Sequence, residues 1–172
     1  MAVIDSQETP ERPLDVLKLL ATLARHDVSY VVIGGVAVQV HGHRRTTKDL
    51  DILPAPGRDN YRRLAAALDE LDARQRGVDP GDVSVSPTDA ERLETAAVVP
   101  PLTTTHGEVH ILNAVPGAAP YDQLRSRALV VDVDSVPVAI VGLDDLIRMK
   151  RASGRPADRE DVAVLAAVQR DE

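Results

Sequence analysis

The sequence predicts an α/β (α+β) protein with a central mixed β-sheet flanked by helices and a helical segment at its C-terminal end. Three observations carry this prediction. Helically spaced apolar stripes and short β-branched runs are interspersed along the chain instead of forming separate blocks. A hydrophobic content of 44% against 27% charged residues is that of a packed globular chain, not a disordered one. A length of 172 residues is enough for one domain with a sizeable core, expected over about residues 14–141 with C-terminal helices over about 142–169.

The elements follow in order. Pro13 to Arg25 carries Leu14, Val16, Leu17, Leu19, Leu20, Leu23 and Ala24, a wide apolar stripe at helical spacing. Pro13 suits its first turn. Val28 to Ile33 is a short apolar run of strand character. The pair Gly34-Gly35 stops it, and Val36 to His41 reads as a short helix. Leu50 to Leu53 is a second strand, closed by Pro54 and Pro56, and Asp59 to Leu71 is a helix with Tyr61, Leu64, Ala65, Leu68 and Leu71 on one face. Gly77, Pro80, Gly81, Pro87, Pro100 and Pro101 break up residues 75–101, leaving loops and a short helix near Thr88–Leu93 that Thr88 or Ser86 would cap. Val109 to Asn113 is a strand followed by the turn Pro116-Gly117. Leu129–Val133 and Val136–Val141 form a hairpin around Asp134-Ser135. Leu143 to Ala152 is a helix with Asp144 and Asp145 at its N-terminus and Gly154 at its end, and Pro156 opens a last helix to about Gln169.

Composition narrows the function classes. There is no cysteine, which excludes disulfides, thiolate metal sites and cysteine nucleophiles. Phe and Trp are absent and Tyr30, Tyr61 and Tyr121 are the only aromatics, so few rings are available to stack on bases. The formal charge of −7 argues against coating nucleic acid by bulk electrostatics and leaves a local basic patch as the route to RNA. The N-terminus is unlike a signal peptide and no apolar run approaches the ~18–20 residues of a membrane span, so a cytoplasmic protein is expected.

The chemistry concentrates in residues 31–53, VVIGGVAVQVHGHRRTTKDLDIL. Glycines after a strand let the backbone approach a phosphate, and the following helix start offers free N–H groups to an anion. Asp49 and Asp51 lie two apart on a strand, so both carboxylates point to one face. Such a pair suits Mg²⁺, which commonly takes one or two carboxylates together with substrate phosphates. In phosphoryl transfer, two ions ~3.5–4 Å apart hold the attacking oxygen and the leaving pyrophosphate. Alone, an Asp-x-Asp is usually a solvated strand edge and a Gly-Gly a turn; together they point to a site.

The pattern Gly34-Gly35-x-Ala37-x3-His41-Gly42-x2-Arg45-x-Thr47-x-Asp49-x-Asp51 resembles the first motif of the minimal nucleotidyltransferase superfamily, closest to the branch of AbiEii-type and MenT toxins. The likeness runs from about residue 14 to about residue 168 and is specific in this motif, looser beyond it. It implies the minimal nucleotidyltransferase fold. It implies that Gly34 and Gly35 hold the triphosphate, that Asp49 and Asp51 bind Mg²⁺ (or Mn²⁺), and that Arg45 and Thr47 contact phosphate, although a structural salt bridge or loop hydrogen bond would explain these last two equally well. His41 is open to a packing or a catalytic reading.

Members of this superfamily usually carry a third acid on a later strand. In Gly107-Glu108-Val109-His110-Ile111-Leu112 that place is taken by His110. Three outcomes follow: His110 acts as base on the attacking hydroxyl, Glu108 on the same strand face substitutes for the acid, or the protein binds nucleotide with little turnover. The segment from Asp144 to Asp161 resembles the family's second signature, which implies that Lys150 faces the triphosphate or the transferring group and neutralises developing charge, with Asp158 and Asp161, one helical turn apart, as the further catalytic candidates. The competing reading is a salt-bridge set among Lys150, Arg155 and Asp158 that locks the C-terminal helices. Arg148, Lys150, Arg151, Arg155 and Arg159, with Arg44, Arg45 and Lys48, would form a basic wall beside the site.

The resemblance thus implies an enzyme that transfers a nucleoside monophosphate from an NTP to a hydroxyl acceptor. By family analogy the acceptor is a tRNA 3′ end and the partner a cognate antitoxin. A nucleotide-binding module without turnover and a small-molecule (aminoglycoside-type) nucleotidyltransferase are the alternatives.

Overall fold

The computed structural model describes residues 12–76 and 89–171. The chain runs α1 (Val16–Arg25), β1 (Tyr30–Ile33), α2 (Gly34–Val40), β2 (Asp49–Pro54), α3 (Arg58–Glu70), β3 (Arg74–Gln75), α4 (Ala90–Thr95), β4 (Leu102–Thr104), β5 (Gly107–Ile111), α5 (Tyr121–Ser126), β6 (Leu129–Val133), β7 (Val136–Ile140), α6 (Leu143–Ser153) and α7 (Pro156–Asp171). The seven strands of the described residues form one mixed sheet in the order β3-β4-β5-β2-β1-β7-β6. This is the expected α/β architecture.

The core is aliphatic, as a chain without Phe or Trp requires. Leu19, Leu23, Leu50, Ile52, Leu64, Leu68, Leu102, Ile111 and Leu146 are all buried in one continuous cluster. Strand β2 is in the middle of the sheet, antiparallel to β1 and parallel to β5. Its Leu50 and Ile52 are fully buried while Asp49 and Asp51 alternate with them on the opposite face.

Helix ends explain most of the boundary differences from expectation. Helix α1 starts at Val16, not Pro13, because the Asp15 carboxylate accepts from the Lys18 N–H and caps it there. It ends in a Schellman motif: Asp27 adopts φ +55°, its N–H donates to the Ala24 carbonyl, and the Val28 N–H donates to that of Leu23. That use of Val28 delays β1 to Tyr30. Helix α3 ends in the same way at Asp72 (φ +51°) and Ala73, and α2 at Gly42 and His43. Asp in the left-handed position is a weaker sequence signal than Gly, so two of these three stops are easily missed. Helix α2 begins directly at Gly34, two residues earlier than expected.

The expected hairpin is present. Asp134 and Ser135 both have positive φ (+52° and +67°), which is a type I′ turn, and Val133 pairs with Val136. Gly154 (φ +64°) ends α6 as expected. The short helix in the broken stretch is Ala90–Thr95, capped by the Asp89 side chain, while Ser86 and Thr88 lie outside the described residues. Strands β3 and β4 and helix α5 are additions that the pattern of prolines obscured. Among the described residues no helix is long and apolar enough to cross a membrane.

Candidate active site

Pairing between β2 and β5 builds the site. Asp49 is opposite Glu108 and Asp51 opposite His110, so four polar side chains share one face of two adjacent parallel strands. His110 lies among the carboxylates: Nδ1 is 2.9 Å from Asp51 Oδ1, Nε2 is 2.6 Å from Glu108 Oε1 and 3.9 Å from Asp49 Oδ2. Both candidates for the missing third acid, His110 and Glu108, therefore face the aspartate pair. Arg76 holds Glu108 from the far side, Nη1 to Oε2 3.1 Å. Arg76 falls at the edge of the broken stretch, and no sequence signal singled it out.

Hydrogen bonding to Asp51 pushes His110 up to about 9, with further help from Glu108 and against the opposing effect of burial. It is therefore an imidazolium at neutral pH in the metal-free protein. Because its native value lies above the ordinary 6.5, its contribution to stability is fully present below pH 6.5 and is lost as pH rises through about 9. In the metal-free protein the His110 ring resonances should titrate with a midpoint near 9 by NMR, and Asp51→Asn should bring the midpoint down. A midpoint at the ordinary value would contradict the hydrogen-bonded arrangement. Burial, followed by the neighbouring Asp51 charge, raises the Asp49 carboxyl. Three carboxylates in one small space are thus short of positive charge.

The glycine pair has a local role that spacing alone did not reveal. A Cβ on Gly34, which has φ +66°, would lie 1.9 Å from Asp51 Oδ2. A Cβ on Gly35 would lie 2.5 Å from Thr47 Oγ1 and 3.5 Å from Arg45 Nη1. Each glycine thus makes room for another residue of the same motif. Thr47 Oγ1 in turn donates to the Asp49 carbonyl at 3.2 Å, tying the loop to the start of β2. Gly34→Ala should cost at least ~1–2 kcal/mol for the left-handed backbone and, in addition, push the Asp51 carboxylate out of place. Thermal denaturation and divalent-cation titration would show both losses; unchanged cation binding would rule out this role for Gly34. An open depression of about 460 Å³ lined by Gln39, Arg44, Arg45, Thr46 and Thr47 adjoins this loop.

Lys150, Asp158 and Asp161 are brought together, but as a buried ion-pair cluster. Lys150 Nζ is 2.7 Å from Asp158 Oδ1 and 3.0 Å from Asp161 Oδ2, with all three residues buried. Arg155 Nε pairs with Asp158 at 2.8 Å, and Arg45 grips Asp161 with Nε at 2.8 Å and Nη2 at 3.0 Å. The salt-bridge set weighed for Lys150, Arg155 and Asp158 is present, and Asp161 extends it to the glycine loop through Arg45. Burial raises both carboxyls, but hydrogen bonds overturn this and hold them below the ordinary range, from Arg155 and Lys150 on Asp158 and from Arg45 and Lys150 on Asp161. The cluster adjoins the strand site closely enough for Arg45 to lower Asp49 electrostatically.

This pairing thins the expected basic wall. Arg45, Lys150 and Arg155 are matched as described, and Arg148 and Arg127 share the buried Asp145. His41 settles on its packing reading: it caps α2, and its Nε2–H donates to the Val141 carbonyl at 2.7 Å.

A mixed sheet with an Asp-x-Asp on its central strand, glycines at the start of the adjoining helix and polar groups on the neighbouring parallel strand defines a nucleotidyltransferase-type protein. The sequence from 14 to 170 matches the family described as nucleotidyltransferase of unknown function (DUF6036), and the chain belongs to that family. It is thereby a nucleotidyltransferase, with a fold that implies NTP binding and normally uses a divalent metal. Among curated proteins none matches significantly. Solved structures share the fold. The crystal structure of ANT(2″)-Ia with adenylyl-2″-tobramycin is 14% identical, with a TM-score of 0.55 over 87% of this chain and 84% of that one. The solution structure of the same antibiotic-resistance factor is 15% identical, with a TM-score of 0.52 over 90% and 91%. An antigenic nucleotidyltransferase-like protein from Paracoccidioides brasiliensis is 15% identical, with a TM-score of 0.54 over 87% and 72%.

The donor set fits a divalent cation. One ligand atom each from Asp49, Glu108 and His110 lies within 4.8 Å of the others, and Asp51 borders the group. Burial raises the Asp49 carboxyl first and the neighbouring Asp51 and Glu108 charges add to it, and a cation would relieve that second part.

Proposed function

We propose that this protein transfers a nucleoside monophosphate from an NTP to a hydroxyl acceptor, releasing pyrophosphate, at the site formed by Asp49, Asp51, Glu108 and His110. The observation that carries this reading is the register of β2 against β5, which sets these four side chains on one face beside the glycine loop. A divalent ion bound by the carboxylates would neutralise charge on the phosphates as the leaving pyrophosphate separates. Gly34 and Gly35, with Arg45 and Thr47, line the approach for the triphosphate. Glu108 and His110 are the groups placed to take the proton of the attacking hydroxyl; His110 does so only after losing its own extra proton. Lys150, Asp158 and Asp161 act on this site through Arg45, by holding the glycine loop to the C-terminal helices. Residues 14–141 and the helices over 142–169 work as one domain in this reading.

The first-motif likeness to AbiEii/MenT-type toxins supports a tRNA 3′ end as acceptor, Mg²⁺ or Mn²⁺ as metal, an antitoxin as partner and a cytoplasmic setting. A second reading, transfer to a small-molecule hydroxyl, is favoured by the shared fold with ANT(2″)-Ia, whose structure holds adenylyl-2″-tobramycin. The deciding experiment incubates the protein with α-labelled NTPs and a divalent metal, offering bulk tRNA in one arm and aminoglycosides in the other. Label on tRNA together with growth arrest on expression supports the toxin reading; label on the small molecule supports the second. Metal-dependent NTP binding without pyrophosphate release in either arm would leave a binding module.

A further inference from the structure

We propose that this site takes a first-row transition-metal dication in preference to Mg²⁺, held by Asp49, Glu108 and His110 Nε2, with Asp51 orienting the imidazole. The inference deepens the proposed function by naming the metal of the same site; it rests on that reading for the presence of a metal there, and it gives Glu108 and His110 a ligand role in place of the proton-accepting one.

The two imidazole nitrogens have different surroundings. Nδ1 faces Asp51 Oδ1 at 2.9 Å and donates its hydrogen to it, while Nε2 points between Glu108 Oε1 (2.6 Å) and Asp49 Oδ2 (3.9 Å). Metal-bound histidines characteristically donate their second ring N–H to a carboxylate, which fixes the tautomer and the ring orientation. Asp51 is built for that task. Its other oxygen lies against Gly34, at a distance that no side chain there would tolerate, and its side chain is 15% exposed against 31% for Asp49.

Glu108 is likewise fixed. Arg76 holds Oε2 at 3.1 Å, which leaves Oε1 turned toward His110 Nε2. Two cis ligands of one ion at ~2.1 Å lie about 3 Å apart. Metal binding displaces the Nε2 proton, held toward Glu108 Oε1, to solvent while Nδ1–H stays on Asp51; the Nε2–Glu108 separation then opens by a few tenths of an ångström and the Nε2–Asp49 separation closes by under one. Two carboxylates and one imidazole form a donor set that Mg²⁺, which demands oxygen ligands, uses poorly, and that ions accepting nitrogen use well. His110 in place of an acid therefore changes which metal the site prefers.

Mn²⁺ is the probe. The metal-free protein is titrated with Mn²⁺ and followed by electron paramagnetic resonance, with Mg²⁺ as competitor and pulsed measurements of ¹⁴N coupling. Mn²⁺ should bind at least ~10-fold more tightly than Mg²⁺, with coupling to one imidazole nitrogen, by the donor preferences above. His110→Gln should abolish the coupling. Asp51→Asn should keep it while weakening Mn²⁺ binding about 10–100-fold, the effect of losing an orienting partner. His110→Asp restores an all-oxygen site, which suits Mg²⁺ and Mn²⁺ alike, and should reduce the preference for Mn²⁺; circular dichroism confirms that each variant is folded. Absence of Mn²⁺ binding, bound Mn²⁺ without ¹⁴N coupling, or an unchanged preference in His110→Asp would each overturn the proposal. These readouts do not depend on turnover: if they hold while no acceptor is labelled, the transfer reading fails and the metal site stands.

Discussion

Asp49→Asn should lower nucleotidyl transfer by about 10²–10³-fold, the usual effect of removing one group that stabilises charge in the transition state, without destabilising the fold. The two halves of this expectation have one origin. Asp49 is on the central strand with its carboxyl raised by burial and by the charge of Asp51, and Glu108 adds to the repulsion. Removing that charge relieves crowding in the metal-free protein, so the melting temperature should stay level or rise while activity collapses. Such a trade-off is expected of a functional group held in an unfavourable setting. A melting temperature well below wild type would make Asp49 a structural residue, and full activity in the variant would remove it from the chemistry. Transfer rates at saturating NTP, with melting curves recorded with and without divalent metal, separate these results.

Lys150→Met should have the opposite profile, destabilising the protein by about 3 kcal/mol, near the lower end for breaking a buried ion pair. Lys150 Nζ is bonded to two carboxylates, Asp158 at 2.7 Å and Asp161 at 3.0 Å, whose side chains are 2% and 1% exposed. Without the ammonium both remain buried with one arginine each, Arg155 and Arg45, and with His43 Nδ1 3.2 Å from Asp161. Those surviving partners are why the lower end applies. A loss of this size is a large part of the 5–15 kcal/mol that typically holds a domain together. Chemical denaturation measures it directly. A stability change within ~0.5 kcal/mol, the range of ordinary surface substitutions, would show that the cluster does not hold the helices.

The same cluster sets a pH dependence. Asp158 and Asp161 have native carboxyls below their ordinary value of 3.8, so their contribution is complete above that value and is lost as pH falls through the native ones. Acid denaturation in the wild type should therefore be steep below about pH 4. Lys150→Met, having lost one of the bonds that depress these carboxyls, should be less stable at neutral pH and lose proportionately less on acidification.

Much of this was legible in the chain because it depends on short-range chemistry. The stripe of leucines in α1, the glycine pair, the Asp-x-Asp alternation in β2, the Asp134-Ser135 turn and the Gly154 stop each depend on a few neighbouring residues and on the fixed periods of helix and strand. Asp49 and Asp51 were found by spacing, since a period of two puts them on one face wherever the strand lies, while Arg45 and Thr47 were singled out by the family resemblance of the motif.

What sequence could not decide was which distant groups meet. That His110 and Glu108 both face the aspartates follows from the register of β5 on β2, a pairing between segments nearly sixty residues apart. A slip of one residue would have turned both side chains into the core. Lys150 carries the same charge as a phosphate contact or as a buried counter-ion; only the packing of α6 on α7, with Arg45 brought in from the glycine loop, sets its ammonium against Asp158 and Asp161. The alternation of Asp49 and Asp51 was therefore set by the chain itself, whereas the imidazole that stands between them and Glu108, and the metal preference inferred from it, were set by the sheet.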